Sequence, residues 1–496
     1  MKKLLAATLA LATLLPAFAA CGTSGGDTAS QSPSQSEAQV TETTRELTDE
    51  EKRALLKDNV PTKDYGGKDY NVLSRVNFAY EFNSELTGDV MDDAIYNRNL
   101  TIEDRFNIKI KTITLGDTNN AYDVLKDADA AVMAGDDAYN LVSAYTYRSA
   151  PGSLNGCYAD LLTLAPLEFS QPWWSQGFVD AVTINNHAYV ATGSLSILFH
   201  EVTLGVFFNK QLAKDNGIND MYGIVRDGDW TFDKLIELSE KAARDLNGDG
   251  KMDEQDCWGI GVNRYTHVDC FQYAFDVPIT TRDAKGLPVF SVNCEKMATM
   301  TAKLVNFLNT DYAYICNDGT RGFKEGMFEN NQGLFMTSWL GNAADLREMD
   351  ADFGIIPYPK YDKAQEKYQT YYLDRTSSFV IPITTDLNYT ASIAEAMACE
   401  SYKTVVPAFY DTALKSKYAR DDDSQEMIDI ILEGVVFDFA NIFAVSWGTS
   451  NSAGQILREL VWKNDPNFSS KWASIQSGAE SVLKDLIASF DTASKK

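Results

Sequence analysis

Histidine is nearly absent: His187, His200 and His267 are the only three in 496 residues. So few leave little material for a histidine-rich metal centre or a histidine proton relay. Basic residues are short as well, with 44 Lys+Arg against 70 Asp+Glu and a formal charge of −26. An acid excess of that size repels phosphate backbones and anionic lipid headgroups, which argues against a nucleic-acid partner. Cysteine is sparse at seven, with no C-x-x-C pair and no spacing that matches a zinc site. The residues beyond Cys21 (Cys157, Cys257, Cys270, Cys294, Cys316 and Cys399) read as buried free thiols, because a body this large does not depend on disulfides. Past the first twenty residues no apolar run is long enough to span a bilayer as a helix. A P-loop is missing too, so any ATP hydrolysis would belong to another chain. No internal repeat marks a solenoid or propeller.

What is present reads as a folded, exported chain. Hydrophobic residues make up 45% and charged residues 23%, ordinary for a soluble protein, and the length leaves room for two or three domains of ~150 residues. Lys2 and Lys3 precede an apolar run from Leu4 to Ala20, broken by Pro16. That pattern predicts a secretory signal peptide over residues 1–20. The run ends in Phe18-Ala19-Ala20-Cys21, which resembles the bacterial lipobox. The resemblance implies that Cys21 takes a diacylglyceryl group and becomes the mature N-terminus. Acyl chains, at ~0.8 kcal/mol per buried CH₂, would then hold the protein on the extracytoplasmic face of the cell membrane without a spanning helix. From Gly22 to about Thr44 the chain is Ser, Thr, Gln, Gly and Glu with no aromatic, too polar to offset its ordering entropy. A flexible tether over 21–64 is expected, and ~40 flexible residues span roughly 35 Å. Its Gly22-Thr23-Ser24-Gly25-Gly26 matches G-x-S-x-G formally, but with no strand before it or helix after it this is no nucleophile elbow.

From Asp64 onward strand-like and helix-like segments alternate. Tyr70–Leu73, Ile108–Lys111 and Asn140–Tyr145 read as strands separated by helices at Asp93–Phe106 and Tyr122–Met133. This β-α-β-α-β order predicts a mainly parallel sheet covered by helices. Further strands are expected at Ala188–Thr192, Leu204–Phe208, Gly333–Met336, Phe353–Ile356 and Ser378–Ile381, and helices at Thr231–Arg244, Glu295–Leu308, Ile393–Tyr402, Gln425–Leu432, Ala453–Trp462 and Ser469–Ser489.

A twelve-residue stretch, Asp245 to Asp256, has the spacing of an EF-hand-type calcium loop. Asp245, Asn247, Asp249, Asp253 and Asp256 stand at oxygen-ligand positions, Gly250 at the required turn, and Lys251 where a backbone carbonyl suffices. The Thr231–Arg244 helix before it and a strand at Trp258–Val262 after it predict a structural clip holding calcium, not a sensor. A solvated acidic turn is the alternative.

Several segments, in order, resemble family 1 extracellular solute-binding proteins, the ligand receptors of ABC importers. They include Arg98-Asn99, Ala134-Gly135-Asp136-Asp137, Gly205-Val206-Phe207-Phe208-Asn209-Lys210, Asp229-Trp230-Thr231-Phe232-Asp233-Lys234-Leu235, Phe323-Lys324-Glu325-Gly326-Met327-Phe328 and Asp352-Phe353-Gly354-Ile355-Ile356-Pro357-Tyr358-Pro359. The likeness runs from about residue 65 to 450 and takes in Ile393 to Tyr418. It implies an α/β, two-lobed periplasmic-binding-protein-like (type II) fold, the lobes joined by crossing strands and the ligand held in the cleft. On the order of motifs the first lobe would be 65–203 with 358–402, and the second 204–357 with 403–496. Open α/β sheets bind ligands beyond the carboxyl ends of their strands, and hinge closure buries the ligand between two such edges.

Sugars offer apolar faces and rims of hydroxyls, so their sites need flat aromatics and planar polar side chains. Trp339 ends a strand and matches, in the resemblance, a sugar-stacking position of maltose-binding relatives; Trp447 matches their C-terminal aromatic contact. Tyr145, Tyr147 and Arg148 leave the Asn140–Tyr145 strand at its carboxyl end, Glu81 follows the first strand, and Asp374 and Arg375 precede Ser378–Ile381. The expected function is therefore a non-enzymatic, monomeric receptor that passes an oligosaccharide to ABC permease subunits. A peptide or amino-acid receptor of the same fold is the runner-up, with Arg148 or Arg375 fixing a terminal charge. A secreted glycoside hydrolase ranks below both, since no motif sets two carboxylates across a bond.

Overall fold

The computed structural model describes residues 47–114, 124–410, 422–448 and 452–494. The signal segment, Cys21 and the tether as far as residue 46 lie outside the described residues. Asp49–Lys496 form one compact unit.

Two sheets organise that unit. The first contains β1 (Lys68–Ser74), β2 (Ile108–Thr114), β3 (Leu141–Tyr145) and a late strand, Ser377–Val380. β1 pairs in parallel with β2 and β3, while Ser377–Val380 adds antiparallel to β3, with Ser377 opposite Tyr145. The second sheet is built from β4 (Leu204–Asn209), β5 (Trp258–Asn263), Ala313–Cys316, Gly333–Trp339 and Phe353–Ile356. Gly333–Trp339 is central, parallel to β5 and antiparallel to β4. β4 is buried at every position and β5 likewise, which explains why both read as continuous apolar runs without alternation. Among the described residues two passages lead from a strand of one sheet to a strand of the other: residues 197–203 lead into β4, and 357–376 run from Phe353–Ile356 to Ser377–Val380. Tyr358, Tyr371 and Tyr372 bury their rings along the second passage.

Local chemistry sets the helix ends. The helix Val90–Phe106 starts where the Asp89 carboxylate accepts from Met91 N at 2.8 Å, and ends at Asn107 in a left-handed conformation (φ 47°). Ile95, Ile102 and Phe106 give it a buried stripe, and it packs on the long helix Leu387–Tyr410.

Two expectations change. Ala188–Thr192 forms no ladder strand; Ala191 exchanges a single pair of hydrogen bonds with Phe379. Directly afterwards the chain passes so close to Trp173 that a Cβ at Gly193 would lie 2.3 Å from the Trp173 carbonyl oxygen, so only glycine fits there. The second change concerns the tether. Asp49–Ala54 is a short helix, Val60 is buried, and Asp58 pairs with Arg105 at 2.6 Å, so the chain joins the body well before residue 65. An apolar Leu56 and Val60 on the body side supply the burial that the upstream polar residues lack.

Candidate ligand-binding site

A cavity of about 410 Å³ opens beside the carboxyl end of Gly333–Trp339. Its wall collects Trp339 and Asn342, Phe78 from the short 3₁₀ segment Val76–Glu81, Leu198 and Glu201 from the helix Ile197–Glu201, and Phe409 from Leu387–Tyr410. Trp339 is the last residue of its strand and is half-buried, and its indole N–H is buried without a hydrogen-bond partner. Asn342, in the 3₁₀ segment that follows, donates to Ser338 Oγ at 2.9 Å and to the Thr320 carbonyl at 3.2 Å. Its amide is therefore held rigidly at the rim.

The aromatic wall continues past the cavity. Phe78 meets Tyr145 edge-on at 5.5 Å, and Tyr145 stacks with Tyr147 at 5.6 Å and 25°. The exposed guanidinium of Arg148 lies 5.2 Å from the Tyr147 ring centre. Thr146 N donates to Thr376 O and Tyr147 N to Asp374 O, both at 3.0 Å. The structure thus brings Tyr145, Tyr147, Arg148, Asp374 and Arg375 to one sheet edge, and Phe78 connects that edge to the Trp339 cavity. Burial lifts the half-buried Asp374 carboxyl to about 6, opposed by Arg375 beside it. On the cavity wall Glu201 goes further: burial pushes its carboxyl up to about 7, although the Tyr80 hydroxyl donates to Oε2 at 2.6 Å. Nothing in the sequence marks Phe78 or Glu201, since both converge on the cavity only through the packing of the two passages. Asn342 shares the Trp339 turn and was readable from it.

Two expected site residues and one expected buried thiol are corrected. Glu81 does not reach the ligand space: it is 1% exposed and lies 3.7 Å from Arg75, itself fully buried. It accepts from the Ser377 hydroxyl and from Leu198 N, and Arg75 in turn lies 4.0 Å from the Tyr145 ring centre and 4.3 Å from that of Phe78. Glu81 and Arg75 support the aromatic wall from behind. Trp447 is core: 4% exposed, it donates to the Ala479 carbonyl at 3.0 Å and packs edge-on against Phe290. The helix Phe468–Ala493 covers it, a contact no local pattern announces. Among the thiols, Cys294 is exposed and not buried, because it caps the helix Glu295–Leu308 with its sulfur accepting from Met297 N.

The 245–256 loop folds as a turn closed by its own amides. Asp245 accepts from Gly248 N and Gly250 N, Asn247 from Asp249 N, Asp249 from Lys251 N, and Asp253 from Gln255 N. Asp256 is buried and accepts from Leu246 N and Asp253 N, which hold its carboxyl below the usual range. Among the described residues no three carboxylate, imidazole or thiol groups converge as metal ligands do. No described helix is long and apolar enough to cross a membrane.

No protein-family model matches the chain, and no curated protein matches its sequence. Solved structures do match. UgpB from Mycobacterium tuberculosis, in complex with glycerophosphocholine, aligns over 85% of this chain and 99% of its own at 15% identity and TM-score 0.55. A cyclo/maltodextrin-binding protein complexed with maltotetraose covers 85% of this chain and 97% of its own at 12% identity, also with TM-score 0.55. An ABC transporter solute-binding protein from Thermotoga lettingae, bound with α-D-tagatose, covers 85% and 100% at 15% identity and TM-score 0.52. The chain therefore has the periplasmic-binding-protein-like α/β fold of these solute-binding proteins.

Proposed function

We propose that this chain is the capturing receptor of an ABC importer, closing on a carbohydrate between its two sheets and releasing it unaltered to a permease. The carrying observation is the Trp339 cavity. A half-buried indole and the phenyl rings of Phe78 and Phe409 supply apolar faces, while Asn342 and Glu201 supply a rigid amide and a carboxyl for hydroxyls. The fold supports the reading, as do the maltotetraose and tagatose carried by two of the similar proteins. Capture by closure suits the two passages at 197–203 and 357–376, which are the places where a hinge can turn.

Calorimetry of the purified protein with oligosaccharides, short peptides and glycerophosphodiesters tests the ligand class. A carbohydrate should bind, and Trp339→Ala should weaken it by ~2 kcal/mol through lost stacking and burial. Selective binding of peptides would transfer the site to the runner-up reading, with Arg148 and Arg375 as charge partners. Cleavage of a glycan panel would overturn the non-enzymatic assignment. The address belongs to the same proposal: a monomer anchored through Cys21 on the extracytoplasmic face. Membrane release on Cys21→Ser checks it. A structural calcium at 245–256 is a separate proposal resting on spacing alone; a calcium-dependent rise in unfolding midpoint would support it, and no change would end it.

A further inference from the structure

Six of the eight tryptophans are buried; the exceptions are Trp339, on the cavity, and Trp462, which is 67% exposed. Trp462 lies near the end of the helix Ile456–Lys463, yet it is not loose. The Arg264 guanidinium sits 3.2 Å from the centre of its ring and 4.8 Å from that of Tyr265, which is 43% exposed. Arg264 is itself fixed at the carboxyl end of β5: its N–H donates to Cys316 O at 3.0 Å, and its Nη1 donates to Asn317 Oδ1 at 2.9 Å. A pinned guanidinium therefore steadies one indole and one phenol ring while leaving most of the indole open to water. Large exposed aromatics held in this way read as a platform for a partner with an apolar face.

The platform adjoins the loop that leads to the cavity. Asn317 is followed by Asp318, Gly319, Thr320 and Arg321, which line a second cavity of about 580 Å³. Asn263, next to Arg264, donates to the Asp318 and Gly319 carbonyls. At the other end, Asp345 lines both this cavity and the Trp339 cavity, and Asn342 donates to Thr320. One track thus runs along the carboxyl edge of the second sheet, from Trp339 past Thr320 and Asp318 to Tyr265 and Trp462. It carries aromatic rings at both ends and polar side chains between.

We propose that Trp462 and Tyr265, braced by Arg264, form an outer subsite that stacks a distal ring of a chain-like carbohydrate whose first rings fill the Trp339 cavity. The assignment rests on the carbohydrate-receptor reading and specifies its ligand: a linear oligosaccharide longer than a disaccharide. A single compact solute would fill one cavity and leave the track unused. A protein surface seated on the same platform would be indifferent to sugar-chain length, which separates the two.

The test is calorimetry of the full folded chain with α-1,4-glucan, β-1,4-glucan, β-1,4-xylan and β-1,4-mannan oligosaccharides, each from disaccharide to hexasaccharide. In the series that binds, affinity should rise with length until the outer rings are engaged. Trp462→Ala should then weaken the hexasaccharide roughly three- to tenfold and leave the disaccharide unchanged. Tyr265→Ala should act in the same direction, and Trp462→Phe should restore most of the loss. Trp462 is exposed, so its removal leaves the core intact, and an unchanged unfolding midpoint checks this. If sugars bind and Trp462→Ala changes long and short chains alike, or neither, the outer subsite is overturned while the receptor reading stands. If no member of any series binds, both fall.

Discussion

Glu201 on the cavity wall makes the stability of the fold depend on pH in a direction that can be worked out. Burial raises its carboxyl from the ordinary 4.5 to about 7; the Tyr80 hydroxyl hydrogen bond works against this rise, and nearby Glu81 adds to it. A raised value in the folded state means that the folded protein keeps a proton which the unfolded chain has already released. The stabilisation tied to that proton is complete below pH 4.5 and is lost as pH climbs through 7. At ~1.36 kcal/mol per pH unit the whole span amounts to roughly 3 kcal/mol, an upper bound because the side chain is only partly buried and water screens it. Glu201→Gln keeps an oxygen to accept from Tyr80 and abolishes the titration. Urea unfolding of the variant and the parent should give similar stabilities near pH 5, with the variant more stable by roughly 1–3 kcal/mol near pH 8. The difference between the two proteins cancels Asp374, Glu395 and Asp438, whose carboxyls burial also raises. Parallel stability curves from acid to alkaline pH would refute the reasoning.

Other substitutions separate wall, support and core. Arg75→Met leaves Glu81 buried without its partner and should cost about 3–5 kcal/mol in chemical denaturation, most of which Arg75→Met with Glu81→Gln should recover. Trp447→Ala should lose about 3–5 kcal/mol of stability by opening a core cavity, yet leave the affinity for any ligand that Trp339→Ala weakens unchanged. Gly259→Ala would place a Cβ 2.2 Å from the Ser239 carbonyl oxygen, forcing β5 off the helix Phe232–Ala242; a loss of roughly 1–3 kcal/mol is expected, and a neutral result would show that the helix can slide.

Much of the fold was legible because local pattern and tertiary role agree over most of the chain. Apolar runs such as Leu204–Asn209 are buried on both faces, so they could only be interior strands. Glu295–Leu308 carries an apolar stripe at helical spacing and is the same helix in the structure. The expected helix at Asp93–Phe106 began three residues late, because the cap that starts it is the Asp89 side chain and not the first apolar residue. Ala188–Thr192 misled because it is apolar and buried, yet it meets Phe379 in a single bridge and Gly193 then packs against Trp173.

The ligand site divides along a similar line. Residue order alone determined that Trp339 would end a strand, that Tyr145 and Tyr147 would leave another at its carboxyl end, and that the chain would alternate strand and helix, since each of these is a property of neighbours in sequence. Only the tertiary structure decided which aromatics face open space. The helix Phe468–Ala493 buries Trp447 in its 3₁₀ segment, whereas Trp339 at its strand end stays half-buried on a cavity. The same holds for carboxylates: Glu81 and Glu201 both follow short apolar stretches, but a buried guanidinium claims the first and a cavity the second. Burial depends on which segments pack over a residue in three dimensions, and periodicity carries no record of that contact.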